Sequence, residues 1–165
     1  MMEGIGFTPA PTPDEPMVIF FDLKTEKIDN NVVQTVEYQE RCDPFKSSKN
    51  NVNIIELVAY NSIEGQVFHE TFKNQEDVYF ENKRIISTVK YRSVLSGFLQ
   101  WMNGLKEYEG QKIILVAHNN LFFHFHILKW TFKTFLPKVS LPDYDIYFFD
   151  SMTLVKKFQL IGWLI

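Results

Sequence analysis

Short apolar runs separated by polar connections form the pattern of this chain, and they predict five strands and three helices. The strand-like runs are residues 17–26, 53–60, 66–72, 112–117 and 145–149. Apolar residues recur with helical spacing in residues 93–105, 122–135 and 152–159. A three-stranded antiparallel meander followed by two parallel strands, with helices packed on them, predicts an α/β fold with a mixed five-stranded sheet.

The first run, MVIFFDLKTE, has four consecutive apolar residues at 18–21 and then Asp22. Such a run is typical of a central strand that is covered on both faces. Asp22 is therefore either a capping or turn residue that leaves the core, or a metal-binding carboxylate at the sheet edge. Strand alternation places Asp22, Lys24 and Glu26 on one face. Lys24 is then either a surface residue or an ammonium group that stands where a cation would bind.

The runs 53–60 and 66–72 are separated by NSIEG, and Gly65 near the turn predicts an antiparallel hairpin. Glu56 in the first run is either a solvent-facing residue or a residue near a site. The segment VVQTVEYQE, from Val32, either extends the first strand or pairs with a later segment, and the composition of residues 43–51 predicts a loop.

The carboxyl ends of three predicted strands carry polar side chains. They are Asp22, then His118 with Asn119 and Asn120, and finally Asp150. In an open α/β sheet, ligands bind at this edge, which makes these residues the candidate site.

The composition indicates one globular domain at residues 17–165, after a flexible lead-in at residues 1–16 that is rich in Pro, Gly and Thr. Hydrophobic residues make up 45% of the chain and charged residues 22%, but sixteen Phe is a high number. This aromatic excess favours a large packed core. A less favoured alternative is an exposed aromatic surface that a partner covers.

The net charge of −3 argues against a broadly basic nucleic-acid-binding surface, although it leaves room for a local groove. Cys42 is the one cysteine, so an internal disulfide and a multi-cysteine zinc site are excluded. The sequence shows neither a signal peptide nor an apolar run long enough to span a bilayer. We therefore expect an intracellular protein, in the cytoplasm or nucleus, without a membrane partner.

Four segments, FFDLKTE, IIELVAY, ILVAHNNLFFHFHIL and FFDSMTLVKKF, occur in the order and at about the spacing found in a known family. In them the chain resembles the DEDDh 3′→5′ exonucleases, a branch of the ribonuclease H-like fold. The last two look similar to the three-prime repair exonuclease (TREX) group. The FFDLK segment looks similar to the exonuclease-like C-terminal domain of the promyelocytic leukaemia protein. The resemblance covers residues 18–158.

The resemblance implies a catalytic set that is largely altered in this chain. Asp22 matches the first metal-binding aspartate of the family, while Lys24 and His124 stand at the positions of two further carboxylates. His118, Asn119 and Phe123 match the second motif, and Asp150 matches a position that shapes the fold. The last motif, a histidine base with an aspartate five residues later, is missing, so the resemblance implies a domain that is truncated at its C-terminus.

The family uses two Mg²⁺ ions held by four carboxylates, and Asp22 alone would bind such an ion weakly. We therefore expect no tightly bound Mg²⁺ and little or no nuclease activity. A site for Zn²⁺ or Mn²⁺ made of Glu26, Asp150 and the three histidines His118, His124 and His126 is a weaker alternative, because His124 and His126 point apart on a helix.

Three interpretations of function remain open. In the first, the domain binds the 3′ end of single-stranded DNA or RNA through Lys24, His118, Asn119 and Asn120. Lysines would flank that groove, namely Lys129, Lys133, Lys156 and Lys157. In the second, an inactive exonuclease fold serves as a scaffold for a protein partner. In the third, the chain is a truncated form of an active relative.

Overall fold

The computed structural model describes residues 15–27, 32–36, 39–44, 52–72, 79–80, 83–118 and 123–153. The predicted lead-in up to residue 14, Asn119, Asn120, and all but the start of the last predicted helix lie outside these residues. The strands are β1 (Met17–Lys27), β2 (Val32–Val36), β3 (Gln39–Pro44), β4 (Val52–Asn61), β5 (Gln66–Thr71), β6 (Tyr79–Phe80), β7 (Lys83–Ser87), β8 (Ile113–Ala117) and β9 (Ile146–Asp150). The helices are α1 (Thr88–Gly104), α2 (His124–Phe135) and a 3-10 helix (Leu141–Tyr144).

Five strands form the main sheet in the order β5-β4-β1-β8-β9. β1 and β4 are antiparallel, as are β4 and β5, whereas β8 runs parallel to both β1 and β9. Counted within this sheet, the order is 3-2-1-4-5, which is a ribonuclease H-like arrangement. The prediction of an antiparallel meander with two added parallel strands is confirmed.

The core lies between one face of the main sheet and the helices α1 and α2. From β1, Met17, Ile19, Phe21 and Leu23 point into this core and are buried, while Phe20, Asp22 and Lys24 point to the other face and are exposed. Aromatic rings join the layers: Phe68 of β5 packs against Phe98 and Trp101 of α1, and Phe21 packs against Phe125 of α2. We call the helix-covered face the inner face and the opposite one the outer face.

Helix α1 begins at Thr88, five residues before the predicted start at Ser93. Ser87 caps it, because its hydroxyl accepts a hydrogen bond from the Lys90 backbone N–H at 3.2 Å. The buried residues of the added turn include Tyr91, whose hydroxyl donates to the Ile54 carbonyl oxygen of β4. The apolar stripe from Val94 to Met102 is buried as predicted.

Helix α2 ends at Phe135, two residues before Pro137, as the sequence predicts. One long side of it is buried, and Phe125, Ile127, Leu128, Phe132 and Phe135 belong to the core. Arg92 of α1 donates from Nε to the carbonyl oxygen of Phe135 at 3.2 Å, which ties the two helices together at this end.

The β4–β5 hairpin turns where the sequence predicts. The side-chain oxygen of Asn61 accepts hydrogen bonds from the backbone N–H groups of Ile63 and Glu64 at 2.9 and 3.2 Å. Gly65 then takes a φ of +66°, which explains the glycine at this position.

A second sheet, in the order β3-β2-β7-β6, was not predicted. The segment from Val32 does pair with a later segment, since β2 is antiparallel to β3, but β2 also pairs in parallel with β7, which leads into α1. Asp43 and Pro44 belong to β3 and not to the predicted loop, whose residues 45–51 lie outside the described residues. Among the described residues, no helix is both long and apolar enough to cross a membrane.

Candidate functional site

Asp22 projects from the outer face of β1, beyond the point where β1 stops pairing with β8. The last parallel pair of β1 and β8 is Phe20 with Val116, and β1 continues alongside β4 as far as Lys27. The Asp22 side chain is 80% exposed, so this carboxylate is open to solvent and to ligands. The capping interpretation places Asp22 at the end of its strand, but the strand continues for five more residues.

His124, the first residue of α2, faces Asp22. Its Nδ1 lies 3.5 Å from Asp22 Oδ1, and only 11% of its side chain is exposed. The ring of Phe21 packs on one side of the imidazole and the ring of Phe123 on another. Burial lowers the pKa of His124 below its ordinary value of 6.5, and the nearby Asp22 carboxylate offsets part of that shift. The group beside Asp22 is therefore largely a neutral imidazole at neutral pH.

Lys24 lies directly opposite Glu56 in the β1–β4 pair, and its Nζ is 3.9 Å from Glu56 Oε2. The other oxygen of the same carboxylate, Oε1, accepts a hydrogen bond from His69 Nε2 of β5 at 2.7 Å. Glu56 is thus a residue near the site, and its charge is already engaged by Lys24 and His69. Because Glu56 attracts Lys24, the Lys24 ammonium is only in part available to a phosphate.

His69 was not singled out in the sequence. Strand alternation in QVFHETF places it on the outer face with Val67 and Thr71, and the register pairs it with Val58, one position from Glu56 along the outer face. A histidine next to a glutamate on neighbouring strands of a predicted hairpin is the signal that would have identified this pair. Predicting that His69 contacts Glu56 requires the pairing register of the two strands, and the sequence leaves this register undetermined by one or two residues.

A side-chain hydrogen bond links the residues that follow β8 and β9. His118 Nδ1 and Ser151 Oγ share a hydrogen bond of 2.8 Å. Asp150 is buried, and its Oδ1 accepts from the Met152 backbone N–H at 2.9 Å, so that it caps the chain as it becomes helical at residues 151–153. This geometry agrees with a role of Asp150 in shaping the fold. Asn119 and Asn120 come directly after His118 but lie outside the described residues.

The lysines of α2 lie away from this site. Lys129 stands over the ring of Phe148, with its Nζ 5.7 Å from the ring centre. Lys129 and Lys133 line an open cleft of about 280 Å³ together with residues on the C-terminal side of α2, among them Pro137 and Leu141. Since a helix rises about 1.5 Å per residue, Lys133 is roughly 13 Å along the axis from His124. Lys156 and Lys157 lie outside the described residues.

The donor set next to Asp22 does not fit Mg²⁺. This ion prefers oxygen ligands in a near-octahedral arrangement. Asp22 offers one carboxylate, its nearest partner is the imidazole nitrogen of His124, and Lys24 adds positive charge two residues away. Glu26 lies beyond a register shift in the β1–β4 pairing, opposite Asn53. Within the described part of the chain, no three His, Cys, Asp or Glu side chains are grouped so as to hold a metal ion. His126 is exposed on α2 while His124 is buried, so these two histidines do not converge.

Comparison of the chain with models of known protein families gives no match. Comparison with curated proteins gives no match either. The class of protein is therefore defined by its fold alone, the ribonuclease H-like arrangement of the main sheet.

Proposed function

We propose that this chain is a degenerate DEDDh-type 3′→5′ exonuclease-like domain that binds single-stranded DNA or RNA and has little or no nuclease activity. The observation that carries this proposal is the pairing of Asp22 with His124 across β1 and the start of α2. These two residues are far apart in the sequence. They match two metal-ligand positions of the exonuclease family, and a fold of that class has to bring such positions together.

The proposed binding groove runs along the carboxyl ends of β1 and β8. Asp22, Lys24 and His118 are all exposed on this edge, which suits a flexible strand better than a buried small molecule. Lys24 and His118 are the described groups that can donate hydrogen bonds to phosphate, and Asn119 and Asn120 are further candidates by sequence. Because the proposed groove contains few cationic side chains, we expect weak binding to nucleic acid, with an affinity that falls as the salt concentration rises.

Low activity is expected from the chemistry of the residues. Two-metal hydrolysis of a phosphodiester needs ions that generate hydroxide and stabilise the leaving oxygen. A buried neutral histidine and a lysine in place of two carboxylates leave no oxygen cage for such ions. We place this domain inside the cell, in the cytoplasm or nucleus, on the basis of its single cysteine.

Fluorescence anisotropy with a short labelled single strand of DNA or RNA tests the binding proposal. The expected result is saturable binding whose affinity falls as salt rises. Lys24→Gln and Lys24→Glu should weaken it and reduce the slope of log affinity against log salt by about one. Lys112→Glu is the matched control, since Lys112 is exposed at the opposite end of β8 and should leave both quantities nearly unchanged.

Equal effects of the Lys24 and Lys112 variants would contradict a groove at Lys24. Absence of binding to both DNA and RNA would refute nucleic-acid binding and favour the scaffold function. A 3′-labelled strand incubated with Mg²⁺ or Mn²⁺ tests activity separately, and rapid shortening of that strand by the unmodified chain would contradict a degenerate site.

A further inference from the structure

The open cleft of about 280 Å³ beside α2 lies at the end of the sheet opposite Asp22. One wall is the C-terminal half of α2, with Lys129, Phe132 and Lys133, and the other wall lies within residues 137–142. Since those residues precede β9, the cleft is near the amino ends of β8 and β9, whereas Asp22 follows the parallel part of β1. Both lysines were expected to flank the Asp22 groove, but they line this separate cleft.

The second wall of the cleft is held in one shape by its own backbone. Pro137 and Pro142 both line the cleft, and the ring of a proline fixes its φ angle. Between them, the Val139 backbone N–H donates to the Leu136 carbonyl oxygen at 2.9 Å. The Pro142 carbonyl oxygen accepts from the Asp145 N–H at 3.0 Å. A preformed wall loses little conformational freedom when a ligand binds, which favours binding.

The floor of the cleft is apolar and small. Phe132 and Leu141 are 2 and 5% exposed, and Val139 is half-buried. Because the Phe132 ring is buried, it offers no face on which a nucleobase could stack. At about 280 Å³, the cleft is smaller than the roughly 300–1,000 Å³ of sites that enclose a whole small molecule. It therefore suits one or two side chains of a larger partner.

Positive charge borders this floor, and no acidic residue lines the cleft to balance it. Lys129 and Lys133 are exposed and one helical turn apart on α2. Residues 111–142 contain four lysines and no Asp or Glu, although the net charge of the chain is −3. Within the described residues, neither Lys129 nor Lys133 forms an ion pair with a carboxylate. Asp143, the first acid after this stretch, does not line the cleft. Like charges at this spacing repel, so an anionic ligand would relieve the repulsion.

Two polar groups of the cleft are placed to meet such a ligand. The Lys129 ammonium stands over the ring of Phe148, 5.7 Å from its centre, and this contact restrains the lysine. The Phe148 ring in turn packs on Phe125, with ring centres 4.7 Å apart. The Ser140 hydroxyl makes no capping hydrogen bond to the 3-10 helix that follows it, so it can donate to a ligand oxygen.

We propose that this cleft binds an acidic peptide segment of a partner protein. An apolar side chain of the peptide enters over Val139 and Leu141, while flanking carboxylates pair with Lys129 and Lys133. An apolar centre with a polar rim is the usual form of a protein interface. Nucleic acid is a poorer occupant, because the cleft exposes no ring for stacking. The proposal gives the scaffold interpretation a specific site, and it does not depend on nucleic-acid binding at Asp22.

NMR titration of the full isotope-labelled chain tests the site. The probe is the synthetic peptide GEDLDEG. Of two control peptides, GQNLNQG lacks the charges and GEDGDEG lacks the apolar side chain. We expect GEDLDEG to cause saturable shifts of the backbone amide signals of residues 129–142. Each control peptide should bind at least about fivefold more weakly, because it loses either the ion pairs or the buried leucine.

Substitutions in the chain test the role of each lysine. Lys129→Gln and Lys133→Gln should each lower the affinity for GEDLDEG by about threefold. Lys112→Gln is the matched control, since Lys112 is an exposed lysine of the same acid-free stretch but does not line the cleft. It should change the affinity by less than about twofold. The weak binding of GQNLNQG should be equal in all three variants, which separates lost charge from a damaged cleft.

Four results would overturn the proposal. Absence of shifts at millimolar GEDLDEG would reject the site. Equal losses in Lys112→Gln and Lys133→Gln would mean general charge attraction. A single-stranded oligonucleotide that displaces GEDLDEG from residues 129–142 would give the cleft to nucleic acid. Shifts there that grow with protein concentration, together with a dimer in sedimentation, would give it to a second copy. Since these signals are distant from Lys24, failure of nucleic-acid binding at Asp22 leaves the test intact.

Discussion

The carboxylate of Asp22 and the imidazole of His124 are neighbours that differ in their exposure to solvent. Asp22 is open to water, whereas His124 is set into the aromatic layer with Phe21 and Phe123. Burial favours the neutral imidazole, so the side chain beside the Asp22 carboxylate carries little charge at neutral pH. The chemistry of the site therefore depends on the environment of one side chain as much as on its identity.

The lowered pKa of His124 predicts a pH-dependent stability. As pH falls through about 6.5, the unfolded chain takes up this proton before the folded chain does, so the free energy of unfolding decreases toward acid. In His124→Gln this contribution is absent. Urea unfolding should be measured from about pH 7.5 to about pH 5. The free energy of unfolding should fall more steeply toward acid in the unmodified protein than in the variant, and the two slopes against pH should differ by at most the contribution of one bound proton.

His126→Gln is the control for this experiment, because His126 is exposed on the same helix. It should keep the pH slope of the unmodified protein. If His124→Gln has that same slope too, the buried imidazole does not titrate as its surroundings require.

Replacing two residues should create metal affinity. Lys24→Glu with His124→Asp places two new carboxylates near Asp22, which makes three in all, and removes a positive charge; this set suits Mg²⁺ and Mn²⁺. We expect calorimetry to show an increase in Mn²⁺ affinity of about tenfold or more over the unmodified chain. The control, Lys24→Glu with His126→Asp, changes the same residue types but directs one carboxylate away from the site. Equal gains in both variants would mean that added negative charge alone, and not the position of residue 124, causes binding.

At the scale of elements, local patterns predicted the strands of the main sheet, the two helices α1 and α2 and the end of α2 at Phe135, but not the start of α1. Helix α1 starts earlier than its apolar stripe, because Ser87 caps it and the Tyr91 hydroxyl donates a hydrogen bond to β4. Neither contact changes the spacing of apolar residues, so the sequence pattern does not indicate it. The hairpin was predicted correctly because its turn chemistry, Asn61 and Gly65, is local.

Two glycines in different elements give opposite predictions. Gly65→Ala forces a side chain into positive φ and should lower the free energy of unfolding by about 1 kcal/mol. Gly97→Ala lies within α1, where the new methyl group would meet Phe68 at an ordinary 3.9 Å, and should raise it by up to about 1 kcal/mol. Urea denaturation of both variants measures this. Destabilisation by Gly97→Ala would show that the Phe68 contact is tighter than its distance indicates.

At the scale of the whole molecule, stability depends on the layer between the inner face and the two helices. Ile19, in the middle of β1, is fully buried there, while Ile63 in the hairpin turn is 74% exposed. Ile19→Ala should cost about 2–5 kcal/mol of unfolding free energy. Ile63→Ala should change it by no more than about 0.5 kcal/mol. Chemical denaturation monitored by tryptophan fluorescence compares the two, and similar losses would contradict the position of the core.

The sequence by itself determined the five strands of the main sheet, the apolar stripes of α1 and α2, and the common face of Asp22 and Lys24 on β1; that this face is exposed, and not covered as the apolar run indicated, came from the structure. These features come from periods of 2 and 3.6 residues, which are local properties of the backbone. The antiparallel meander with two added parallel strands was predicted from the order of the elements and the rules for connecting strands, whereas the order 3-2-1-4-5 came from the structure.

Only the tertiary structure decided the second sheet, the register that joins Lys24, Glu56 and His69, and the burial that keeps His124 neutral beside Asp22. Each of these features depends on contacts between segments that are distant in the sequence. Many alternative strand pairings have a similar local pattern, so the local pattern does not select one of them. A shift of one residue in β5 would turn His69 away from Glu56 without altering the hydrophobic pattern of the chain as a whole. The competition among such pairings is resolved by the packing of the whole core, which no local window of sequence contains.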